Sequence, residues 1–153
     1  TLRRSSAASD VYKRQLVRFS EYCKGVIRAS QIATAEENSF TVQIYGENGC
    51  FKWNQENPNY LYQLMEGKPI QILKPGNSYL SDFSLKSSKL PPGHPEGFFD
   101  AMGNIYNGVA KTLREVETND SSYPSINEGV RGMMFIEKVL ESNKNGNIWI
   151  KLD

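Results

Sequence analysis

Hydrophobic and polar residues alternate along the first half of the chain, which is the period of a half-buried β-strand. The clearest case is SFTVQIYGENGCFKWNQEN (39–57), where every second residue from Phe40 to Ile44 is apolar. Asn48-Gly49 favours a type I′ turn, because both residues tolerate positive φ, and this segment therefore predicts a β-hairpin. Further strands are predicted at 16–21, 24–34, 59–65 and 69–73.

A long polar connection, 74–97, follows these strands and is rich in proline and glycine. A loop of this length in a compact domain is usually functional or disordered. Beyond it, apolar residues recur every three or four positions over 98–116, which predicts an amphipathic helix. Pro95 and Glu96 suit the first turn of that helix, where a missing N–H is tolerated and a negative charge is favourable.

A second helical stripe begins at SINE (125–128), in which serine and glutamate are spaced as a capping box. The stripe ends before Gly146, and IWIKL (148–152) predicts a last strand. The order of several strands, two helices and one strand predicts an α+β fold. We expect a mostly antiparallel open sheet with the two main helices packed on one of its faces.

Residues 1–15, TLRRSSAASDVYKRQ, follow neither period. SSAASDVYKRQ matches the translation of a transposon adapter used to prepare sequencing libraries, so we assign residues 1–15 to a non-native, adapter-derived tail. A disordered natural tail is the alternative. The native domain is then 16–153, and we expect it to be the C-terminal part of a longer protein.

The net charge and the two cysteines limit which binding partners and which cellular compartment we expect. Without residues 1–15, four of the 18 Lys and Arg residues and one of the 17 Asp and Glu residues are removed, and the net charge changes from +1 to −2. No basic face remains to bind nucleic acid, and the apolar runs are too short for a transmembrane helix. Cys23 and Cys50 lack metal-ligand spacing. We expect two buried free thiols in a reduced compartment, and hence a cytoplasmic protein, with a disulfide as the alternative.

A few residues could contact a ligand. His94, the one histidine, lies in PPGHPEGF beside a helix start whose free N–H groups suit a polar ligand; an exposed surface histidine is the alternative. Trp53 lies among tyrosines on the predicted strands, where packing is the default and a sugar-stacking platform the alternative. Asn38 ends a polar cluster that suits either a solvated turn or hydrogen bonds to a polyol. A metal site is not expected from a single histidine without clustered carboxylates.

Three stretches together resemble the C-terminal domain of the glucose–fructose oxidoreductase / inositol dehydrogenase / MocA family: ASQIATAEENSFTVQIYGENGCFKWNQENPNYL, LPPGHPEGFFDAMGNIY and YPSINEGVRGMMFIEKVLES. The resemblance covers nearly all of 16–153. It implies an α/β domain whose large, mostly antiparallel sheet commonly forms the oligomer interface. It also implies an N-terminal Rossmann domain that binds NAD or NADP for hydride transfer with sugars and polyols.

The resemblance also limits which residues can be assigned. The family's Gly-rich fingerprint, its Glu-Lys-Pro lysine and its Asp/His pair precede the matched region, and the chain has no GxGxxG, so no catalytic or cofactor-binding residue is predicted. TAEEN also departs from the family's usual Gly and Arg before Glu and Asn. The start of the 98–116 helix is expected near the substrate pocket. The predicted substrate-binding residues are His94, Glu96, Met102, Asn38 and Trp53.

The sequence therefore predicts the C-terminal fragment of an NAD(P)-dependent sugar or polyol oxidoreductase. This fragment would shape the substrate pocket and form a homo-oligomer through its sheet, and it would be inactive alone, because NAD or NADP binds to the preceding domain. The alternative is a stand-alone carbohydrate-binding or dimerisation module.

Overall fold

The structure is a computed structural model, and it describes residues 12–114 and 123–152. Within these ranges the backbone forms strands and helices in separate stretches, which confirms the α+β class. The strands are β1 (Tyr12–Arg18), β2 (Lys24–Ser30), β3 (Thr41–Gly46), β4 (Gly49–Asn54), β5 (Leu61–Met65) and β6 (Gln71–Leu73). The helices are α1 (Asp82–Ser87), α2 (Phe98–Leu113) and α3 (Ile126–Lys144).

Every strand pair in the described ranges is antiparallel, and the strands form two sheets, β1-β2 and β3-β4-β5-β6, where the sequence predicted a single open sheet. The chain divides into two compact units. One unit combines the residues up to Glu37 with those from Asn127 onward, and the other is Asn38–Ile126. The first therefore contains β1, β2 and nearly all of α3, whereas the second contains β3 to β6, α1 and α2. The packing of both long helices on one sheet face stays a prediction.

Strand β1 begins inside the segment assigned to the adapter. Tyr12 pairs with Ser30, and Gln15 pairs with Ile27, in continuous register with β2. Backbone N–H and C=O groups pair whatever the side chains are, so a strand can extend through a sequence that lacks apolar alternation. The assignment of residues 1–15 to a non-native tail stays a prediction.

The β3–β4 hairpin forms where the alternation predicts it, but with a different turn. Gly46 pairs with Gly49, which leaves Glu47 and Asn48 as the two turn residues. Neither of these has a positive φ, so the predicted type I′ turn at Asn48-Gly49 is wrong. Gly49 is instead the first residue of β4, where a Cβ would overlap the carbonyl oxygen of Leu64. The glycine is required by the close approach of β5 and not by the turn.

Cross-strand pairing places the apolar residues of the hairpin on one face of the four-stranded sheet. Val42 lies opposite Trp53, and Ile44 lies opposite Phe51. The Phe40 ring meets the Trp53 ring edge to face, with centroids 5.9 Å apart. Such aromatic and β-branched pairs are the main side-chain contribution to sheet stability.

The connection 74–97 is more ordered than its composition suggests. It contains α1, which the sequence did not predict, and the side chain of Ser81 accepts a hydrogen bond from the backbone N–H of Ser84 at 3.3 Å. Helix α2 then begins at Phe98, after Gly97, so Pro95 and Glu96 precede the helix and the prediction that they form its first turn is wrong. The negative charge of the first turn comes from Asp100, whose carboxylate accepts from the N–H of Gly97 at 2.7 Å.

Helix α3 spans Ile126–Lys144 as the apolar stripe predicts, and Ser125 directly precedes it. The predicted last strand at 148–152 is not formed. A strand needs a neighbouring strand to pair its backbone, and this segment has other contacts instead. The hydroxyl of Ser142 donates to the carbonyl oxygen of Ile148 at 2.6 Å, and the Arg18 guanidinium lies 5.2 Å from the centre of the Trp149 ring. Among the described residues, no helix is both long and apolar enough to cross a membrane.

Candidate functional site

The five residues predicted to bind substrate all belong to the second unit, Asn38–Ile126. They lie on different elements of that unit, and the structure links some of them through hydrogen bonds and leaves others apart. Asn38 precedes β3, Trp53 is in β4, His94 and Glu96 lie in the connection before α2, and Met102 is in α2.

Trp53 is half-buried and held on two sides. Its indole N–H donates to the carbonyl oxygen of Pro58 at 3.0 Å, and its ring packs against Phe40. Both contacts stay within the strand region around β4. Packing, which is the default for an aromatic residue on a strand, is therefore the main role that these contacts show.

Asn59, the residue after Pro58, connects the strand region to the connection that carries His94. Its side-chain amide donates to the carbonyl oxygen of Glu96 at 2.9 Å, and its side-chain oxygen accepts from the N–H of Glu96 at 2.9 Å. An asparagine amide has the same donor and acceptor as a peptide group, so this pair reproduces a short piece of backbone pairing. The sequence does not predict the role of Asn59, because an asparagine near a turn carries no signal for a partner 37 positions away.

The carboxylate of Glu96 closes the same connection upon itself. Its Oε1 accepts hydrogen bonds from the backbone N–H groups of Lys89 and Leu90, each at 2.8 Å. A carboxylate accepts such bonds more strongly than a neutral oxygen does. Residues 89–96 therefore form a closed loop, which we call the His94 loop. The hydrogen bonds of Asn59 and Glu96 that hold it are called the Asn59–Glu96 clasp.

Gly76 supports the His94 loop from a second direction. Its N–H donates to the hydroxyl of Ser88 at 3.3 Å, and a Cβ at this position would lie 3.1 Å from the carbonyl oxygen of Leu90. Its φ is +73°, a conformation that glycine adopts without strain. The loop is thus fixed both by side-chain hydrogen bonds and by close backbone packing.

His94 is exposed at the tip of this loop, after Gly93 with φ +88°. Its Nδ1 lies 3.2 Å from the carbonyl oxygen of Pro91. A carbonyl oxygen only accepts, so a hydrogen bond here requires the proton on Nδ1. In the neutral ring Nε2 is then an acceptor, and it has no hydrogen-bond partner within the described part of the chain. His94 can therefore accept a hydrogen bond from a hydroxyl group.

The remaining two predicted residues are not joined to this network. The side-chain amide of Asn38 donates to Oε1 of Gln55 at 2.6 Å, so it is engaged at the far end of the β3–β4 hairpin. Met102 is half-buried in α2. The structure thus connects Trp53, Glu96 and the His94 loop through Pro58 and Asn59, and it places Asn38 and Met102 outside that set.

The group that the His94 loop offers to a ligand is the exposed imidazole, with Nε2 as a hydrogen-bond acceptor. Across residues 12–114 and 123–152, no three His, Cys, Asp or Glu side chains come together as metal ligands would.

The known proteins that this chain is similar to include several oxidoreductases. It is 29% identical over 142 residues to the uncharacterized oxidoreductase YfiI of Bacillus subtilis (strain 168), across 89% of this chain. The structure of an oxidoreductase from Sinorhizobium meliloti matches with a TM-score of 0.76 and 35% identity over 84% of this chain. An inositol dehydrogenase homolog from Azotobacter vinelandii, solved with NAD⁺ and also with NADH and myo-inositol, matches with a TM-score of 0.84 and 26% identity over 92%. No family model matches the chain.

These relatives are longer than the matched region. The chain spans 36% of the Bacillus subtilis protein, 36% of the Sinorhizobium meliloti chain and 39% of the Azotobacter vinelandii chain bound to NADH and myo-inositol. The oxidoreductase part of the predicted resemblance is confirmed, since each of these relatives is described as an oxidoreductase or a dehydrogenase homolog.

Proposed function

We propose that this chain is the substrate domain of an NAD- or NADP-dependent oxidoreductase of the glucose–fructose oxidoreductase / inositol dehydrogenase / MocA family, acting on a sugar or polyol. The observation that carries the proposal is the likeness, over 92% of the chain, to the inositol dehydrogenase homolog complexed with NADH and myo-inositol. The exposed His94 supports it, because an imidazole acceptor suits a ligand hydroxyl.

The sequence contains no GxGxxG, and we therefore assign NAD or NADP to a part of the parent protein outside this chain. The role left to this chain is to bind and orient the substrate. Nε2 of His94 would accept a hydrogen bond from one hydroxyl, while the Asn59–Glu96 clasp keeps the loop that carries the imidazole in place.

The apolar face of the four-stranded sheet supports the further proposal of a homo-oligomer. Phe40, Ile44 and Phe51 share this face and remain 54%, 62% and 39% exposed. A contiguous exposed apolar surface of this kind usually marks an interface. The same observation favours the second candidate, a stand-alone dimerisation module, which differs in predicting no response to a polyol. The cytoplasmic location stays a prediction.

A ligand titration of the complete chain tests the polyol assignment. The ¹⁵N-labelled chain is titrated with myo-inositol, with cyclohexanol as a control that has the same neutral six-carbon ring but a single hydroxyl, and with NADH. We expect myo-inositol alone to shift the amide resonances of the His94 loop. Shifts with NADH would contradict the assignment of the cofactor to another domain, and a spectrum unchanged by myo-inositol and by a panel of other polyols would contradict the substrate class.

A further inference from the structure

We propose that Asn59 is a positioning residue of the substrate site: it anchors Glu96, whose carboxylate holds the His94 loop, so that Nε2 of His94 is presented to a ligand hydroxyl in one fixed arrangement. The role as a positioning residue for substrate rests on the proposed function. The fixing of the loop can be measured without any ligand.

The contacts of Asn59 make a direct ligand role for its side chain unnecessary. The amide nitrogen and the amide oxygen both bind the backbone of Glu96, each at 2.9 Å. Aspartate would keep the acceptor but lose the donor, and alanine would lose both. We therefore expect a substitution at Asn59 to act on ligand binding through Glu96 and the His94 loop.

The side chain of Glu96 also makes hydrogen bonds within the protein. Its Oε1 already accepts two backbone N–H groups, from Lys89 and Leu90. This oxygen holds the loop, and we expect Glu96 to act on the substrate through His94, while direct binding of substrate by Glu96 stays a prediction. Glutamine retains an oxygen at the same distance from the backbone, so it can accept the same two bonds, whereas alanine cannot.

The composition of the His94 loop explains why the loop depends on the clasp. The loop contains consecutive prolines, Pro91 and Pro92, which have no N–H to donate. Gly93 adds backbone freedom at the tip of the loop. A segment with few internal donors and a flexible glycine depends on outside partners for a single conformation, and the clasp provides four hydrogen bonds to it.

The test uses the complete ¹⁵N-labelled chain and four variants: Asn59→Ala, Glu96→Ala, Glu96→Gln and, as a matched control, Asn57→Ala. Asn57 is an exposed asparagine in the same turn, whose backbone alone makes hydrogen bonds. Three quantities are measured: hydrogen exchange at the Lys89 and Leu90 amides, the ¹⁵N shifts of the His94 ring, and the Kd for myo-inositol. Exchange at the paired amides of β3 and β4 reports whether the fold is intact.

We expect Asn59→Ala to raise exchange at Lys89 and Leu90 about 30-fold, because it removes two hydrogen bonds that contribute about 1 kcal/mol each. The His94 ring should shift toward a mixture of tautomers. The population of the loop conformation that binds ligand should fall, and the Kd for myo-inositol should rise by the same factor. Glu96→Gln should recover most of what Glu96→Ala loses, and Asn57→Ala should match the wild type.

Wild-type exchange, ring shifts and affinity in Asn59→Ala with an intact fold would overturn the proposal. If Asn59→Ala unfolds the chain, the proposal is tested by comparing Glu96→Ala with Glu96→Gln. Equal His94 ring shifts in those two variants would contradict the proposal. If wild-type chain shows no response to myo-inositol, the proposed polyol function fails. The positioning role of Asn59 in the loop is then tested by the exchange rates and the His94 ring spectrum alone. Unchanged values of both in Asn59→Ala would overturn that role.

Discussion

Asn59 shows how a single amide side chain can join two segments that lie 37 positions apart in the sequence. The sequence predicts a loop before a helix at PPGHPEGF, and the structure has that loop before α2, whereas the assignment of a substrate site to it stays a prediction. It could not predict the clasp, since the partner of an asparagine is set by the folded chain and not by periodicity. Binding of substrate by Glu96 stays a prediction, and in the structure its Oε1 accepts from Lys89 and Leu90.

Trp53→Phe should lower the free energy of unfolding by about 1 kcal/mol, because it keeps the ring contact with Phe40 but removes the hydrogen bond to Pro58. Urea unfolding followed by circular dichroism measures this. Tyr106→Phe, at an exposed position of α2, is the control and should have almost no effect. Equal stability of wild type and Trp53→Phe would show that the indole hydrogen bond contributes nothing.

Gly49→Ala should destabilise the four-stranded sheet by about 1–3 kcal/mol, because the new Cβ would overlap the carbonyl oxygen of Leu64. Gly46→Ala, at the other side of the same turn, is the matched control, because its Cβ would meet its nearest atom at an ordinary 3.8 Å. The urea midpoints of the two variants give the comparison. An equal midpoint for both would mean that the strands separate easily at this point.

At the scale of elements, periodicity predicts the long amphipathic helices and the alternating hairpin well. It misses α1, because a helix of six residues is too short to show a stripe and depends on the Ser81 cap. It wrongly adds a strand at 148–152, because apolar alternation shows that a segment can be a strand and not that a partner strand is present. The predicted β3–β4 turn lies one residue too far along the chain. The prediction takes Gly49 as a turn residue, whereas the close packing of β4 against β5 requires this glycine.

Gly132→Ala in α3 should stabilise the chain by about 0.5–1 kcal/mol, because alanine favours the helix and a Cβ at this position meets no atom within 4 Å. Gly146→Ala, just beyond the same helix, should do the opposite, because its φ of +85° strains any other residue. Thermal and urea unfolding compare the two. A loss of stability in Gly132→Ala would show that a further contact occupies this part of α3.

At the scale of the whole molecule, large apolar side chains remain exposed on both compact units. Ile44 is 62% exposed in the second unit, and Trp149 is 62% exposed in the first. A domain of this size can bury a substantial core by itself. We propose that protein outside this chain covers these surfaces, since the chain spans 36% of the length of its Bacillus subtilis relative.

Self-association through the four-stranded sheet should therefore depend on Ile44. We expect the scattering mass of the chain to increase with concentration, and Ile44→Lys to abolish that increase, because a charge in an apolar interface is costly to desolvate. Ser78→Lys, at an exposed position outside the strands, carries the same charge change and should associate like the wild type. Association that persists unchanged in Ile44→Lys would assign the interface to another surface.

The central claim is that this chain supplies the substrate domain of a polyol dehydrogenase. The most direct test replaces the matched region of the Azotobacter vinelandii inositol dehydrogenase homolog with residues 16–152 and measures NADH formation from NAD⁺ across a panel of polyols. We predict turnover by this chimera, a large loss of kcat/KM in its His94→Ala form, and no NADH from the isolated chain. A chimera that folds and binds NADH yet oxidises no polyol would contradict the claim.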